Sequence, residues 1–515
     1  MLIAGYAALL LSSLITLLAF AGLIGFSDAA VDWALLSDRY FHSVLLFSLK
    51  QAALSTLLSL LLAWPLARAL YYLPELPARR SFLSLCLLGF VMPTLVLITG
   101  LVALLGRNGY LTPLLGDNWN LYGLNGILIA HIYLNLPYAV RVLLQQLQHI
   151  PDRSWVLARQ LKLSPWQRLR LVEWPVLKPS LLLLSGFIFV LCFNSFAVVL
   201  ALGGGPGATT LEVAIYQALK YDFNMAEALT LAWTQLLIAG GLFLLLNRAG
   251  SSRWLTADSM VRGNTPPTAV WMRQIHRAIY LIAWGCLLLP VLALLPALFQ
   301  ADLLRFDWMA LLAPTLTSLS LALAAALAAM VLAYLMLFPI RHSHRQRKAR
   351  RRLLLEWLST HALVAPAMVI SVGLYIFLLQ RIDLDRWGIA FVALLNMAVI
   401  IPFAIQQLKP RLLQYDAQYQ QLSQSLKLSR LQQLRIEWPF IRAAFTATFA
   451  LILLLALGDV AIISIFGGDD WQTLPLLIYS YAGSYRITEA SIASLLLLLI
   501  CAALVGLLER VKQDA

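Results

Sequence analysis

An all-α polytopic membrane protein, with about twelve transmembrane helices in two parallel six-helix repeats, is the fold this sequence predicts. Three observations carry it. Of 515 residues, 61% are hydrophobic and only 12% are Asp, Glu, Lys or Arg, about half the charge of a soluble domain. The apolar residues gather in runs that meet the roughly 20 residues one helical crossing needs. A stretch of about 80 residues in the first half recurs in order and spacing in the second. Single soluble cores stop growing at roughly 250–300 residues, so lipid must serve as solvent for much of this chain. A soluble enzyme, a disordered chain and a disulfide scaffold are thereby excluded. The four cysteines (Cys86, Cys192, Cys286, Cys501) lie far apart inside apolar runs, as buried small hydrophobes do, and show neither metal-ligand spacing nor a disulfide framework.

The apolar runs place spans near 2–26, 44–71, 82–105, 122–143, 181–203 and 226–247, then near 278–299, 313–338, 357–379, 387–406, 443–466 and 489–508. The first run lacks a basic start and a cleavage site, so it reads as a retained span rather than a signal peptide. Pro65, Pro93, Pro137, Pro290 and Pro402 fall in or at the ends of spans, which membrane helices tolerate when neighbours satisfy the freed backbone groups.

The net charge of +14 signals orientation rather than nucleic acid. Segment 141–180 holds seven basic and two acidic residues, 339–357 seven and one, 407–442 six and two, and 248–277 five and one. All follow even-numbered spans, whereas the loops after odd-numbered spans are neutral or slightly acidic. Basic loops stay in the cytoplasm, so both termini are expected there.

The repeat is explicit. Leu161-Lys162-Leu163-Ser164, Gln167, Leu169-Arg170 and Glu173-Trp174-Pro175 reappear as Leu426-Lys427-Leu428-Ser429, Gln432 or Gln433, Leu434-Arg435 and Glu437-Trp438-Pro439, with one residue gained or lost. Leu136-Pro137 matches Ile401-Pro402; Thr210-Leu211 and Ile215-Tyr216 match Thr473-Leu474 and Ile478-Tyr479. Residues 1–250 and 278–515 therefore read as two duplicated halves joined by a cytoplasmic linker, 251–277. Parallel repeats are related by an axis along the membrane normal, with a substrate path between them.

The long cytoplasmic loops 144–180 and 407–442 carry apolar residues at roughly helical spacing: Val156, Leu157, Leu161 and Trp166 in one, Leu422, Leu426 and Leu431 in the other. One such loop could simply lie on the headgroups. Two with matched sequence at matched positions point to one partner surface that meets each half alike. Pro175 and Pro439 are expected to mark where the chain turns back to the membrane.

These features resemble the permeases of ATP-binding-cassette importers with two fused halves, the type I importer fold. That family's docking loop has a Glu-Ala-Ala pattern followed by Gly. The pattern falls here on Val156-Leu157-Ala158 with Lys162, and on Gln421-Leu422-Ser423 with Lys427; both copies put Lys where the family has Gly. Cys192-Phe193-Asn194-Ser195-Phe196, Leu202 to Pro206, Ala208 to Glu212 and Ala214 to Asp222 are similar to the thiamine-importer permease family, as are Gly458-Asp459, Thr473-Leu474-Pro475 and Gly483 to Arg486. The resemblance implies a transport subunit in a bacterial inner membrane rather than an enzyme, with two ATPase subunits holding ATP and Mg²⁺ and a periplasmic thiamine-binding protein as partners. It also implies coupling residues at Ala158, Leu161, Lys162, Leu163, Glu173 and Pro175, and at Leu422, Leu426, Lys427, Leu428, Glu437 and Pro439. Gly-x-x-x-x-Gly-Lys-Ser/Thr occurs nowhere in the sequence, so ATP hydrolysis by a P-loop falls to another chain.

Ionisable residues inside a membrane are functional candidates. Asp459 stands in an apolar run and reads first as a hydrogen-bonding residue between packed helices, because related permeases with anionic substrates also carry an acid there; the alternative places it with Asn194, Ser195 and Phe196 on the substrate path. Glu227 and Glu489 begin the last span of each half, where negative charge suits a helix N-terminus. Lys50 and Arg68 are expected to snorkel or pair, and Trp119 and Trp471 to sit in interface belts. An iron(III) importer permease is the alternative of the same class. A secondary transporter is the alternative of another class, opposed by the paired loops.

Overall fold

A computed structural model describes residues 1–25, 34–249, 269–300, 306–363, 367–379, 381–467 and 471–513. In chain order the principal helices are α1 (Leu2–Gly25), α2 (Arg39–Tyr72), α3 (Arg79–Val91), α4 (Thr94–Leu105), α5 (Leu124–Gln148), α6 (Asp152–Gln160), α7 (Trp174–Phe193), α8 (Ala197–Leu202), α9 (Leu211–Lys220) and α10 (Met225–Ala249). The second half repeats the order as α11 (Val270–Leu292), α12 (Met309–Arg345), α13 (Ala349–Thr360), α14 (Ala367–Leu379), α15 (Leu384–Ser425), α16 (Arg430–Leu457), α17 (Ala461–Phe466), α18 (Leu474–Gly483) and α19 (Ile487–Gln513).

Among the described residues ten helices are long and apolar enough to cross a membrane, eleven if the bent pair α3–α4 counts as one span. The expected twelve differ for a physical reason. Span 82–105 bends by 104°, because Pro93 lacks the N–H that would continue the ladder and Met92 before it is extended. Span 357–379 divides between α13 and α14. Spans 181–203 and 443–466 break after Phe193 and Leu457 and resume as the short α8 and α17. The second half opens at Val270, inside the segment read as linker, and residues 250–268 of that segment lie outside the described residues. Cys86, Cys192 and Cys501 are buried as expected, whereas Cys286 is exposed on α11.

Each half sends its first helix across to the other. α1 packs along α12 and α14; α11 packs along α2 and α4. Lipid tails are as apolar as leucine, so such helix pairs depend on close approach of small residues. At Gly22 an added Cβ would run into the Gly373 carbonyl and Phe377; at Gly373 it would run into Ala19; at Gly100 it would run into Pro290. Gly100 and Gly373 follow Pro93 and Pro366 by the same seven residues, so both crossings use one device.

Gly22→Leu or Gly373→Leu is therefore expected to destabilise the chain by about 1–3 kcal/mol, read as a lowered unfolding midpoint in detergent. Gly285→Leu, where an added Cβ meets open space, is expected to leave that midpoint unchanged.

Candidate functional site

The two loops fold into matching helix–turn–helix units. α6 ends at Gln160 and α15 at Ser425. In each, the next backbone N–H groups return to the last helical carbonyls: Leu161 to Leu157 (2.9 Å) and Leu163 to Ala158 (3.0 Å), against Leu426 to Leu422 (3.0 Å) and Leu428 to Ser423 (3.2 Å). This closure needs a left-handed residue, and it falls on Lys162 (φ 48°) and Lys427 (φ 47°). Lysine thus adopts the conformation that glycine adopts without strain, and the turn survives the substitution of the family's Gly. Ser164 and Ser429 then open the following helix with identical capping boxes to Gln167 and Gln432.

The turns lie ahead of the prolines: Pro175 sits in the first turn of α7 and Pro439 inside an unbroken α16, which corrects the expectation that they mark the return to the membrane. Leu161 and Leu426 are 62% and 59% exposed, and Leu157, Leu422 and Trp166 are also exposed. Ala158 and Ser423 are buried, while Leu163 and Leu428 are half-buried. Each unit therefore presents an apolar knuckle outward on a small residue packed inward.

Glu173 and Glu437 play a different part from the exposed leucines. Glu173 is fully buried and accepts from Arg68 Nε (2.8 Å), Arg68 Nη2 (3.2 Å) and Tyr72 OH (2.6 Å), all on α2. Glu437 accepts from Tyr334 OH (2.7 Å), Arg341 Nη1 (3.1 Å) and Arg341 Nη2 (2.7 Å), all on α12. Each turn is thereby clamped to the second helix of its own half. The second clamp is larger, because Arg341 and Arg345 also bind Asp416 of α15. The one-residue mismatch in the repeat has a structural form: residues Leu169–Glu173 make a π-helical turn, while the second copy stays α-helical. A π-turn absorbs one extra residue, which keeps both glutamates on the face that meets an arginine. Trp155, fully buried, adds a hydrogen bond to Tyr71 OH at 2.8 Å.

The residues expected on the substrate path are divided between the two halves. Asn194 stands at the break between α7 and α8, where Gln235 of α10 donates to its Oδ1 (3.2 Å) and to Glu212 Oε1 (2.7 Å). Ser195 is half-buried, and Phe196 packs on Tyr216 with ring centroids 5.3 Å apart. Asp459 occupies the corresponding break before α17. It lines a cavity of about 10 Å³ with Ser318, Asn396 and Thr473, space for a single water. Gly458 beside it lies against Pro93, the elbow of the opposite half. Ser48 and Ser318 accept the N–H groups of Leu211 (3.0 Å) and Leu474 (2.7 Å), so α9 and α18 are pinned alike. Glu227 and Glu489 lie in the first turns of α10 and α19. Arg68 pairs, as described, and Lys50 is exposed. Trp119 donates to Leu105 O (2.8 Å). Glu212, Gln235, Asp416 and Trp155 escaped the sequence reading; the apolar runs around Glu212 and Gln235 hide partners that meet only through folding.

Residues 49–251 match the family described as binding-protein-dependent transport system inner membrane component. The chain is 36% identical to the thiamine transport system permease protein ThiP of Escherichia coli (strain K12), over 99% of this chain and 96% of the relative. It is 37% identical to ThiP of Brucella abortus (strain 2308), over 97% and 92%. A putative ferric transport system permease protein, FbpB 1 of Haemophilus influenzae, is 26% identical over 34% of this chain and 29% of the relative.

Replacing Arg341 with Ala leaves Asp416 and Glu437 facing each other and is expected to cost about 3–5 kcal/mol, more than Arg68→Ala, which strands one carboxylate. The comparison is read from unfolding midpoints. Lys162→Gly and Lys427→Gly relieve a left-handed strain of about 1–2 kcal/mol and are expected to be neutral or stabilising, whereas Lys→Val at either site lowers the midpoint.

Proposed function

The chain belongs to the thiamine transport permease family, and from that premise we propose that it is the membrane subunit of an ATP-binding-cassette importer that carries thiamine, and its phosphate esters if the path admits them, into the cytoplasm. It works by alternating access, with the two halves rocking about the axis between them. ATP and Mg²⁺ belong to a separate ATPase present in two copies, one seated on each exposed turn. A periplasmic thiamine-binding protein delivers substrate to the opposite face. Both termini lie in the cytoplasm, in agreement with the basic loops.

The observation that carries this reading is the pair of turns with the same left-handed residue, the same capping box and the same exposed leucine. Two surfaces so alike suit two copies of one partner. In this scheme Leu161, Leu426, Leu157 and Leu422 enter the ATPase, and Ala158 and Ser423 let the knuckle pack. Lys162, Leu163, Lys427 and Leu428 shape it, and Pro175 and Pro439 stiffen the helices above it. Glu173 and Glu437 pass its movement to α2 and α12. The ferric reading is the weaker one, because that relation spans only part of the chain.

Reconstituted with its ATPase and binding protein, the chain is expected to accumulate thiamine only when ATP is supplied. Leu161→Asp or Leu426→Asp puts a charge into a contact that cannot solvate it, at about 2–7 kcal/mol. Each variant is expected to insert normally yet lose both ATPase association and uptake. Wild-type association and uptake in both variants, or uptake driven by a proton gradient alone, would count against the proposal.

A further inference from the structure

Asp459 carries a carboxylate into the membrane without a side-chain cation to meet it. Its Oδ2 is withdrawn from water and accepts no hydrogen bond, and among the described residues no ion pair includes it. The elements around it keep their cations far off. α17 and α18 carry none; the nearest on α15 is Arg386, ten residues from Asn396, the nearest on α16 is Arg442, seventeen from Asp459, and the nearest on α12 is Arg341, twenty-three from Ser318. At about 1.5 Å per residue these stand roughly 15–35 Å away along their helices. Lys220, which reaches α17 from the first half, is bonded to the Ile465 carbonyl at 3.4 Å. The N–H groups at the start of α17 face the carboxylate and offer only the partial charge of a helix end.

The space beside this carboxylate is lined with oxygen. The cavity of about 10 Å³ is walled by Asp459, Thr473, Ser318, Asn396 and aliphatic side chains. Thr473 is 7% exposed, and its Oγ1, like Asp459 Oδ2, is buried without a partner. Ser318 Oγ accepts the Leu474 N–H at 2.7 Å and keeps a second lone pair, and buried Asn396 brings an amide carbonyl. His131 and Ser195 hold the matching positions of Asn396 and Asp459 in the first half, and His131 is bonded to Ser55 at 3.0 Å, so the charged arrangement belongs to the second half alone. A carboxylate, two hydroxyls and an amide are hard ligands, suited to a cation that prefers oxygen. Ca²⁺ takes about 6–8 oxygens and Mg²⁺ keeps several waters; one carboxylate and room for about one water-sized sphere supply neither. A bare monovalent ion matches both the single charge and the space.

We propose that Asp459, Thr473, Ser318 and Asn396 bind a sodium ion that ties α12, α15 and the start of α18 to the break between α16 and α17. Gly458 lies against Pro93 of the first half, so the ion braces the second half where it meets the elbow of the other. The site stands apart from the identity of the transported substrate.

The test is run on the full chain purified in detergent. Its unfolding midpoint is measured in sodium chloride and in N-methylglucamine chloride at equal ionic strength, and retained radioactive sodium is counted per chain. Sodium is expected to raise the midpoint saturably, because a ligand of the folded state alone stabilises it, with one ion retained per chain. Potassium, which is larger, is expected to raise it less. Asp459→Asn keeps the shape and removes the charge, and is expected to abolish both the shift and the retained ion. Thr473→Val removes one ligand and no hydrogen bond of the fold, and is expected to move the half-effect to higher sodium. Equal midpoints in the two salts with no retained sodium would mean that the cavity holds water only, and would overturn the proposal. So would an Asp459→Asn protein that binds sodium as the parent does. If Asp459→Asn does not fold, Thr473→Val decides, and an unchanged sodium response there overturns the site.

Discussion

A carboxylate withdrawn from water at the edge of a membrane has to be met by a cation, and the rest of this structure is arranged around two such meetings. Glu173 is clamped by Arg68 and Tyr72, and Glu437 by Arg341 and Tyr334. Removing one partner of a buried pair costs about 3–5 kcal/mol, more than most single packing contacts. Each clamp ties an exposed turn to the long helix behind it, α2 or α12. The same helices pin α9 and α18 through Ser48 and Ser318. A rigid line therefore runs in each half from the exposed turn, through the clamp and the long helix, to the short helix that it pins, α9 or α18.

The halves are alike in this line and unlike in its reinforcement. Arg341 and Arg345 share Asp416 with Glu437, so two acids balance two bases within the second clamp. The first clamp has one of each, and it adds the π-turn at Leu169–Glu173 and the Trp155–Tyr71 hydrogen bond. To a shared carboxylate–arginine–tyrosine clamp the second half adds a further ion pair, and the first adds the π-turn and Trp155. The exchange of α1 and α11 between halves keeps the two lines in one body: α1 packs on α12 and α14 of the second half, and His276 of α11 stacks on Tyr72 of the first clamp at 5.7 Å.

Much of this was legible in the residues. Apolar run length gave the helices, because burial of backbone polar groups in lipid permits little else. The matched Leu-Lys-Leu-Ser segments gave the paired turns, and Glu-Trp-Pro marked the clamps without revealing their role. What the sequence hid was long-range. Arg68 and Glu173 are 105 residues apart, and Arg341 and Glu437 are 96 apart. No local pattern joins such partners. The break at Pro93 was visible as a proline, but neither the size of its bend, 104°, nor the close approach of Gly458 to it follows from any local pattern. The prolines at 175 and 439 misled for the opposite reason: early in a helix, or where neighbours satisfy the freed carbonyl, proline need not turn the chain.

The most direct test of the clamp as a transmission element is the distance between spin labels at positions 39 and 309, the outer ends of α2 and α12, in the permease bound to its ATPase. The clamps are replaced as sets by apolar residues of similar volume, Arg68→Met with Glu173→Leu, and Arg341→Met with Asp416→Leu and Glu437→Leu, a change that leaves no charge stranded. With the clamps in place, trapping nucleotide on the ATPase should change the distance between the labels. With them replaced, the ATPase should still bind and trap nucleotide while the outer ends stay where they were. A full-sized change in the replaced protein would mean that movement reaches the outer face by another route.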